Sequence, residues 1–136
     1  MAIADTNSIT RAYLATCVTL TNLIGGATPR IYCPRLPENA TLPAVSFFTR
    51  GGDSTPYIPG IPEPSVQFDC WADNPITARN VYNKLYDALQ GIQNVTVGAY
   101  RILSAIEEVQ GQDLVDELVP NYFRTLTFFS IMIRAE

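Results

Sequence analysis

The sequence SVQFDCWADNPITARNVYNKLYDALQG, residues 65–91, decides the fold class of this chain. Its first seven residues place Val66, Phe68 and Cys70 on one side and mostly polar residues on the other, which predicts a half-buried β-strand. Asn74 and Pro75 then supply the residue types preferred at a helix N-cap and first turn. A strand that leads directly into a helix predicts a helix packed on one face of a sheet.

The helix that follows this strand carries one apolar stripe and ends at about residue 90, before Gly91. The stripe consists of Ala78, Val81, Tyr82, Leu85 and Leu89. Its spacing of three or four residues is typical of an amphipathic helix whose stripe faces a core. Phe68 of the strand and Leu85 of the helix are therefore predicted core residues.

The remaining segments complete an order of helix, three strands, helix, and two or three strands. Residues 8–24 predict a first helix, capped by Ser8 and ended by the glycines at positions 25 and 26. Strands are predicted for residues 30–32, 44–49, 95–109 (as one strand or two) and 122–134. The last segment is apolar on both faces, so it is either central in the sheet or buried by a partner. The predicted fold is α+β, with a mostly antiparallel sheet and two main helices packed on one face, in a single domain of residues 1–136.

The composition favours protein partners over nucleic acid. Of the 136 residues, 47% are hydrophobic and only 16% are charged, which leaves much neutral surface for subunit contacts. The net charge is −4, and the nine basic residues form no run. Tight nucleic-acid binding normally needs clustered cations, so we expect none here.

Metal and membrane sites find little support in the sequence. The chain has no histidine, and its three cysteines, Cys17, Cys33 and Cys70, form no CxxC pair, which argues against zinc. We expect these cysteines to be buried and reduced. The N-terminus lacks the features of a signal peptide, and no apolar run approaches the ~20 residues of a membrane span.

Residues 51–64 form the first stretch for which we predict a role in binding. It holds four of the ten prolines, and its apolar side chains have no evident place in the core. Proline lowers the entropy lost when a loop becomes ordered, which suits a docking loop. The alternative is an irregular connection without function. The predicted interface residues are Tyr57, Ile58, Pro59, Ile61 and Pro62.

An acidic segment, residues 107–120, is predicted to be an exposed loop between two strands. Glu107 and Glu108 are adjacent, so in a strand they would point to opposite faces and could not form a catalytic pair. Asp113, Asp116 and Glu117 have the i, i+3, i+4 spacing that on a helical turn could hold Mg²⁺ or Ca²⁺. The alternative, which we favour, is a solvated acidic connector. The sequence contains no nucleophile–histidine arrangement and no phosphate-binding loop.

Residues 30–91 resemble the tail terminator, or tail-completion, proteins of long-tailed bacteriophages. The resemblance has three parts: RIY at 30–32 followed by a proline-rich link and LPAVSF at 42–47; VQFDCWA at 66–72; and the helix with ARNV at 78–81 and YDALQG at 86–91. The order and spacing of the parts carry the resemblance. The proline-rich stretch at 51–64 departs from the pattern.

The resemblance implies a structural protein without catalytic activity or cofactor. Such a protein forms a ring, usually of six subunits, that caps the tail tube, ends its polymerisation and joins the tail to the head connector. Its partners would be its own copies, the tail tube protein and the connector or stopper protein, at the tail–neck junction of a virion assembled in the bacterial cytoplasm. DNA would pass through the ring without specific binding. The acidic residues Glu107, Glu108, Asp113, Asp116 and Glu117 are candidates for its lining. One alternative is a head–tail connector or stopper subunit. Two alternatives of other classes are a metal-dependent hydrolase that uses Asp113, Asp116 and Glu117, and a small ligand-binding domain that dimerises through its sheet.

Overall fold

The fold is a six-stranded sheet with its helices packed on one face. The computed structural model describes residues 5–37, 40–53, 61–115 and 122–135. In chain order the elements are α1 (Thr6–Ala15), α2 (Val18–Thr21), β1 (Ile31–Tyr32), β2 (Ala44–Asp53), β3 (Glu63–Ala72), α3 (Pro75–Leu89), β4 (Gln93–Val97), β5 (Tyr100–Val115) and β6 (Phe123–Ala135). The strand order is β1-β2-β3-β6-β5-β4, and every neighbouring pair is antiparallel except β1 with β2. The predicted α+β class, element order and mostly antiparallel sheet are confirmed.

The helix α3 forms as its local sequence predicts. The Asn74 side chain accepts a hydrogen bond of 2.8 Å from the backbone N–H of Thr77, and Pro75 occupies the first turn. All five residues of the predicted apolar stripe are buried. Gly91, just beyond the helix, has a φ of +79°, a conformation that favours glycine.

The first helical segment differs from its prediction, because it begins earlier and is interrupted. Asp5, and not Ser8, is the N-cap: its carboxylate accepts hydrogen bonds from the Ser8 backbone and hydroxyl. The helix α1 ends at Ala15, and Cys17 is extended before the four-residue α2. The Thr16 hydroxyl donates to the Tyr13 carbonyl at 2.6 Å, and such local bonds compete with helix continuation.

The acidic segment differs in part from its prediction. Residues 107–109 lie within the strand predicted for 95–109, but strand β5 continues to Val115, where a loop was predicted. Residues 107–115 pair with β6 from Glu107 opposite Phe129 to Val115 opposite Phe123. The apolar strand β6 pairs with these residues, although their own polar sequence does not indicate a strand. The loop prediction is therefore wrong for Asp113, and for Glu107 and Glu108 the strand prediction is confirmed and the loop prediction is wrong. Asp116 and Glu117 lie outside the described residues.

One continuous core lies between the sheet and the helices. The rings of Phe47, Phe68 and Phe129, on neighbouring strands β2, β3 and β6, lie with successive centroids 5.8 Å apart. Phe68 and Leu85 are fully buried, as predicted. Residues of α1, α2 and α3 join the same core, so all three helices lie on one face of the sheet.

The cysteines only partly follow their prediction. All three are free thiols, but only Cys70 is buried; Cys17 is half-buried and Cys33 is exposed. Cys33 directly follows the end of β1. No helix in the described part of the chain is long and apolar enough to span a membrane.

Candidate interaction surface

The sheet face opposite the helices is the candidate functional surface, and we call it the open face. Side chains alternate along a strand, so the residues between the buried core positions project from this face. The open face includes residues of four strands: Ser46, Phe48 and Arg50 of β2; Glu63, Ser65, Gln67, Asp69 and Trp71 of β3; Arg101, Ser104, Ile106, Glu108, Val109, Gln112 and Leu114 of β5; and Arg124, Leu126, Phe128, Ser130, Met132 and Arg134 of β6.

The open face has an apolar centre. Phe48, Leu126, Phe128 and Met132 are each only partly buried. Ile106, on the neighbouring strand β5, is 57% exposed. An antiparallel sheet with one free face normally presents polar side chains there, so this apolar centre calls for an explanation.

Arg50 is held over this centre by several contacts. Its guanidinium lies 4.0 Å from the centroid of the Phe128 ring, a cation–π contact. Its Nε donates to the Ser65 hydroxyl oxygen at 3.3 Å, and that hydroxyl donates to Glu108 at 2.6 Å. The arginine is thus fixed in position although its residue is exposed.

A second arginine, Arg124, is fixed at the other end of the face. Its guanidinium lies 5.4 Å from the Trp71 ring and 3.5 Å from the buried carboxylate of Asp69. The Trp71 indole N–H donates to the Ser46 hydroxyl at 2.8 Å. Gln67 donates to the other Asp69 oxygen at 3.3 Å.

Asp69 is the most constrained ionisable group on the open face. Burial raises the pKa of its carboxyl group, while Arg124 and Gln67 oppose that rise. Its Oδ1 makes no hydrogen bond and relies on the ion pair alone. Burying the Asp69 carboxylate here costs free energy. The ion pair that results orients the guanidinium of Arg124.

The fold places the acidic residues that were predicted to share one loop in separate environments. Glu107 points toward the helices, where it accepts hydrogen bonds from the hydroxyls of Tyr82 (2.6 Å) and Thr127 (2.9 Å). Its backbone N–H donates to the Gln90 side chain at 2.7 Å. Glu108 bonds Ser65 on the open face, so the two adjacent carboxylates point to opposite faces, as predicted. Burial, followed by the Glu107 contact, raises the pKa of Tyr82 to about 12.

Asp113 is engaged by neighbouring side chains. It lies 3.4 Å from Arg79 of α3 and accepts a hydrogen bond of 3.1 Å from Thr125. It is in a strand, so the helical spacing on which the proposed metal site depends does not apply to it. Within residues 5–37, 40–53, 61–115 and 122–135, no three His, Cys, Asp or Glu side chains are grouped to hold a metal ion.

The predicted docking stretch, residues 51–64, is described only at its two ends, where residues 51–53 belong to β2 and residues 63–64 to β3. Tyr57, Ile58 and Pro59 lie outside the described residues. Ile61 and Pro62 are half-buried, and the Pro62 carbonyl accepts a hydrogen bond of 3.1 Å from the Ile133 amide. This part of the stretch continues the pairing of β3 with β6 and is bound to the sheet.

The sequence does not reveal that four arginines share the open face. Arg50, Arg101, Arg124 and Arg134 come from three strands and all project from it, with Arg124 and Arg134 near opposite ends of β6. The sequence feature that could have indicated an interaction surface here was the last strand, because it is apolar on both faces. That pattern left burial by a partner open as an explanation.

Comparison with solved structures identifies a similar fold. One similar chain belongs to a structure described as the virion of a native gene transfer agent particle. The TM-score is 0.63, the match covers 96% of this chain and 95% of the other, and the sequence identity is 15%. No protein-family model matches the sequence, and the search of curated proteins finds no match. At this identity the comparison establishes a shared fold.

Proposed function

We propose that this chain is a structural protein of a phage-like virion and acts there as a tail terminator. In this role a ring of six subunits caps the tail tube, ends its polymerisation and joins the tail to the head connector. The observation that carries the proposal is the fold likeness to a chain of a gene transfer agent virion, which extends over nearly the whole of both chains. The tail-terminator resemblance of residues 30–91 supplies the specific role.

The proposal assigns no catalytic activity to the chain. The carboxylates that sequence analysis singled out and that the structure describes are engaged in structural contacts: Glu107 with Tyr82, Glu108 with Ser65, and Asp113 with Arg79 and Thr125. Of the three residues in the hydrolase alternative, Asp113 is described, and its contacts with Arg79 and Thr125 are structural; Asp116 and Glu117 lie outside the described residues.

In the proposed ring, DNA passes without being held. Six copies at −4 each carry a charge of −24, which disfavours retention of a polyanion. The arginines of the open face share that surface with three carboxylates, and Arg124 already pairs with Asp69. The proposed partners are other copies of the chain, the tail tube protein and the head connector, at the tail–neck junction of the virion.

A head–tail connector or stopper subunit is the alternative within the same class, and tail length distinguishes the two. We would delete the gene for this chain in the particle that encodes it and measure tails by electron microscopy. Loss of a terminator leaves polymerisation unchecked, so we expect tails of irregular and excess length. Supplying the wild-type gene in trans should restore uniform tails.

Two other results of the deletion would count against the terminator role. Tails of normal length that fail to join filled heads would identify a connector or stopper. Intact, infective or gene-transferring particles of normal appearance would remove the chain from the virion structure altogether.

A further inference from the structure

We propose that side chains of α3 close the free edge of strand β5 and thereby prevent that edge from pairing with a strand of a second copy of this chain. Strand β4 pairs with β5 only over residues 100–104. In the described part of the chain, residues 106–115 of β5 therefore have a neighbouring strand, β6, on one side alone. A long free edge offers backbone donors and acceptors to which another chain can add a strand. The inference does not depend on the proposed function.

Two side chains of the α3 segment occupy backbone groups at this edge, and we call them the edge caps. The Gln90 side-chain oxygen accepts a hydrogen bond of 2.7 Å from the backbone N–H of Glu107. The Arg79 guanidinium donates to the backbone carbonyl of Gly111 at 2.9 Å. Both backbone groups are bonded to α3 and not to β6, so they are groups that an added strand would use.

The edge caps are spaced so that one helix can supply both. Arg79 lies in the first half of α3 and reaches Gly111, whereas Gln90 directly follows the helix and reaches Glu107, so α3 runs antiparallel to β5. The two caps are separated by about 16 Å along the helix axis. Glu107 and Gly111 are separated by about 13 Å along an extended strand. The two distances are comparable, so the helix follows the edge over this length.

The strand is adapted to the helix at the same place. At Gly111 an added Cβ would lie 2.8 Å from the Tyr82 ring, so the glycine allows α3 to approach the strand closely. The pairing of β5 with β6 shifts register between Glu107 and Val109 and again between Val109 and Gln112. Such irregularities are a recognised means of making an edge a poor template. A further strand would have to displace α3 and match an irregular ladder.

The opposite edge of the sheet is closed in a similar way. The Val45 amide of β2 donates to the Arg30 carbonyl at 3.0 Å, so the carbonyl of the next residue, Ile31, points away from β2. The Arg11 side chain of α1 donates to that carbonyl at 3.3 Å. The outermost strand β4 is itself short, with five residues, and irregular at Asn94, whose φ is +54°. Short and irregular edges pair poorly with other chains.

A double variant and a matched control test the edge caps. Arg79→Met combined with Gln90→Leu removes both hydrogen-bonding ends and keeps side chains of similar size. Asn83→Leu combined with Lys84→Met places the same two apolar residues at exposed positions of α3, and it also removes one positive charge and one amide. The two double variants match in composition and differ in whether the edge of β5 stays capped.

Amide hydrogen exchange measures the state of the edge directly. In the wild type the Glu107 amide should be protected by its bond to Gln90, although no strand lies beside it in the described part of the chain. At concentrations where the protein is monomeric, the edge-cap variant should exchange this proton at least tenfold faster than the wild type. The control variant should stay within twofold of the wild type.

Sedimentation velocity over a wide concentration range measures the consequence for self-association. The edge-cap variant should associate at least tenfold more strongly than the wild type, and the control within twofold of it. In the associated form the Glu107 amide should become protected again, because a carbonyl of the added strand accepts its proton. Arg79→Lys alone, which keeps a donor for the Gly111 carbonyl, should behave as the wild type.

Three results would overturn the inference. One is a Glu107 amide that exchanges in the wild type as fast as a fully exposed amide, a measurement that does not require the variants to fold. Another is equal self-association of the two double variants. The third is association of the edge-cap variant that leaves the Glu107 amide unprotected, which would place the new contact on another surface.

Discussion

Replacing Tyr82 with Phe tests whether Glu107 is a structural residue of the α3–sheet contact. The Tyr82 hydroxyl donates to the Glu107 carboxylate at 2.6 Å, and the substitution removes this bond without opening a cavity. A hydrogen bond to a charged group contributes roughly 1.5–3 kcal/mol. The Thr127 hydroxyl lies 2.9 Å from Glu107 and 2.8 Å from the Val109 carbonyl, and its one proton can turn to the carboxylate when the tyrosine hydroxyl is removed. We therefore expect the lower part of that range, about 1.5–2 kcal/mol.

This loss corresponds to a measurable shift in melting temperature. The unfolding entropy of a 136-residue chain is about 0.3 kcal/mol/K, so the expected shift is a decrease of roughly 5–7 °C. Urea denaturation followed by circular dichroism gives the free energy directly. Tyr86→Phe is the matched control. Tyr86 lies one turn along the same helix, its ring packs against Tyr82, and its hydroxyl makes no hydrogen bond with the described residues.

A double-mutant cycle with Glu107→Gln isolates the pair. We expect a coupling free energy of about 1 kcal/mol between positions 82 and 107. The reasoning is refuted if Tyr82→Phe costs no more than Tyr86→Phe, or if the two changes at positions 82 and 107 are additive. Either result would leave Glu107 available for the lining role that its sequence first suggested.

Three further predictions follow from local geometry. Gly111→Ala should destabilise the fold by roughly 1–3 kcal/mol, because the added Cβ would lie 2.8 Å from the Tyr82 ring; an unchanged melting temperature would contradict this. Asn74→Ala should cost about 1 kcal/mol through loss of the α3 N-cap, while Asn74→Asp should retain most of the stability; equal losses would show that the cap bond is unimportant. Burial raises the pKa of Tyr13 and of Tyr82 to about 12, so the folded state holds these protons more tightly than the unfolded state. Stability should fall as pH rises from about 10 to about 12, with a shallower fall in Tyr82→Phe; a flat profile would contradict the burial of these hydroxyls.

The parts of the fold that the sequence predicts well are those with local causes. Strand β3 alternates over consecutive residues, and α3 has an N-cap, a proline in its first turn, an apolar stripe and a terminal glycine. Each signal acts within a few residues, so no knowledge of the tertiary structure is needed.

The parts that the sequence predicts poorly depend on distant partners. Residues 107–115 are polar and acidic, yet they form a strand because β6 pairs with them along their length. The Glu107 site is assembled from α3, β5 and β6, and the acidic pattern alone gives no sign that Tyr82 and Thr127 would engage its carboxylate. The break in the first helical segment depends on a Thr16 hydroxyl bond that propensity does not reveal.

Strand β6 shows how the structure narrows an ambiguity that the sequence left open. A strand that is apolar on both faces was expected to be central or covered by a partner, and β6 is central, between β3 and β5. A central position satisfies the backbone at both edges of a strand, but it does not bury the side chains on either face. The helices bury only the side that carries Phe129 and Ile131. On the open face its neighbour β3 presents the polar side chains usual for a free antiparallel sheet, such as Gln67, whereas β6 presents Leu126 and Phe128. A central position with one free face is consistent with the polar side chain of Gln67 on β3, but it does not explain Leu126 and Phe128 on β6. The apolar side chains of β6 are better explained by a contact that the isolated chain does not make.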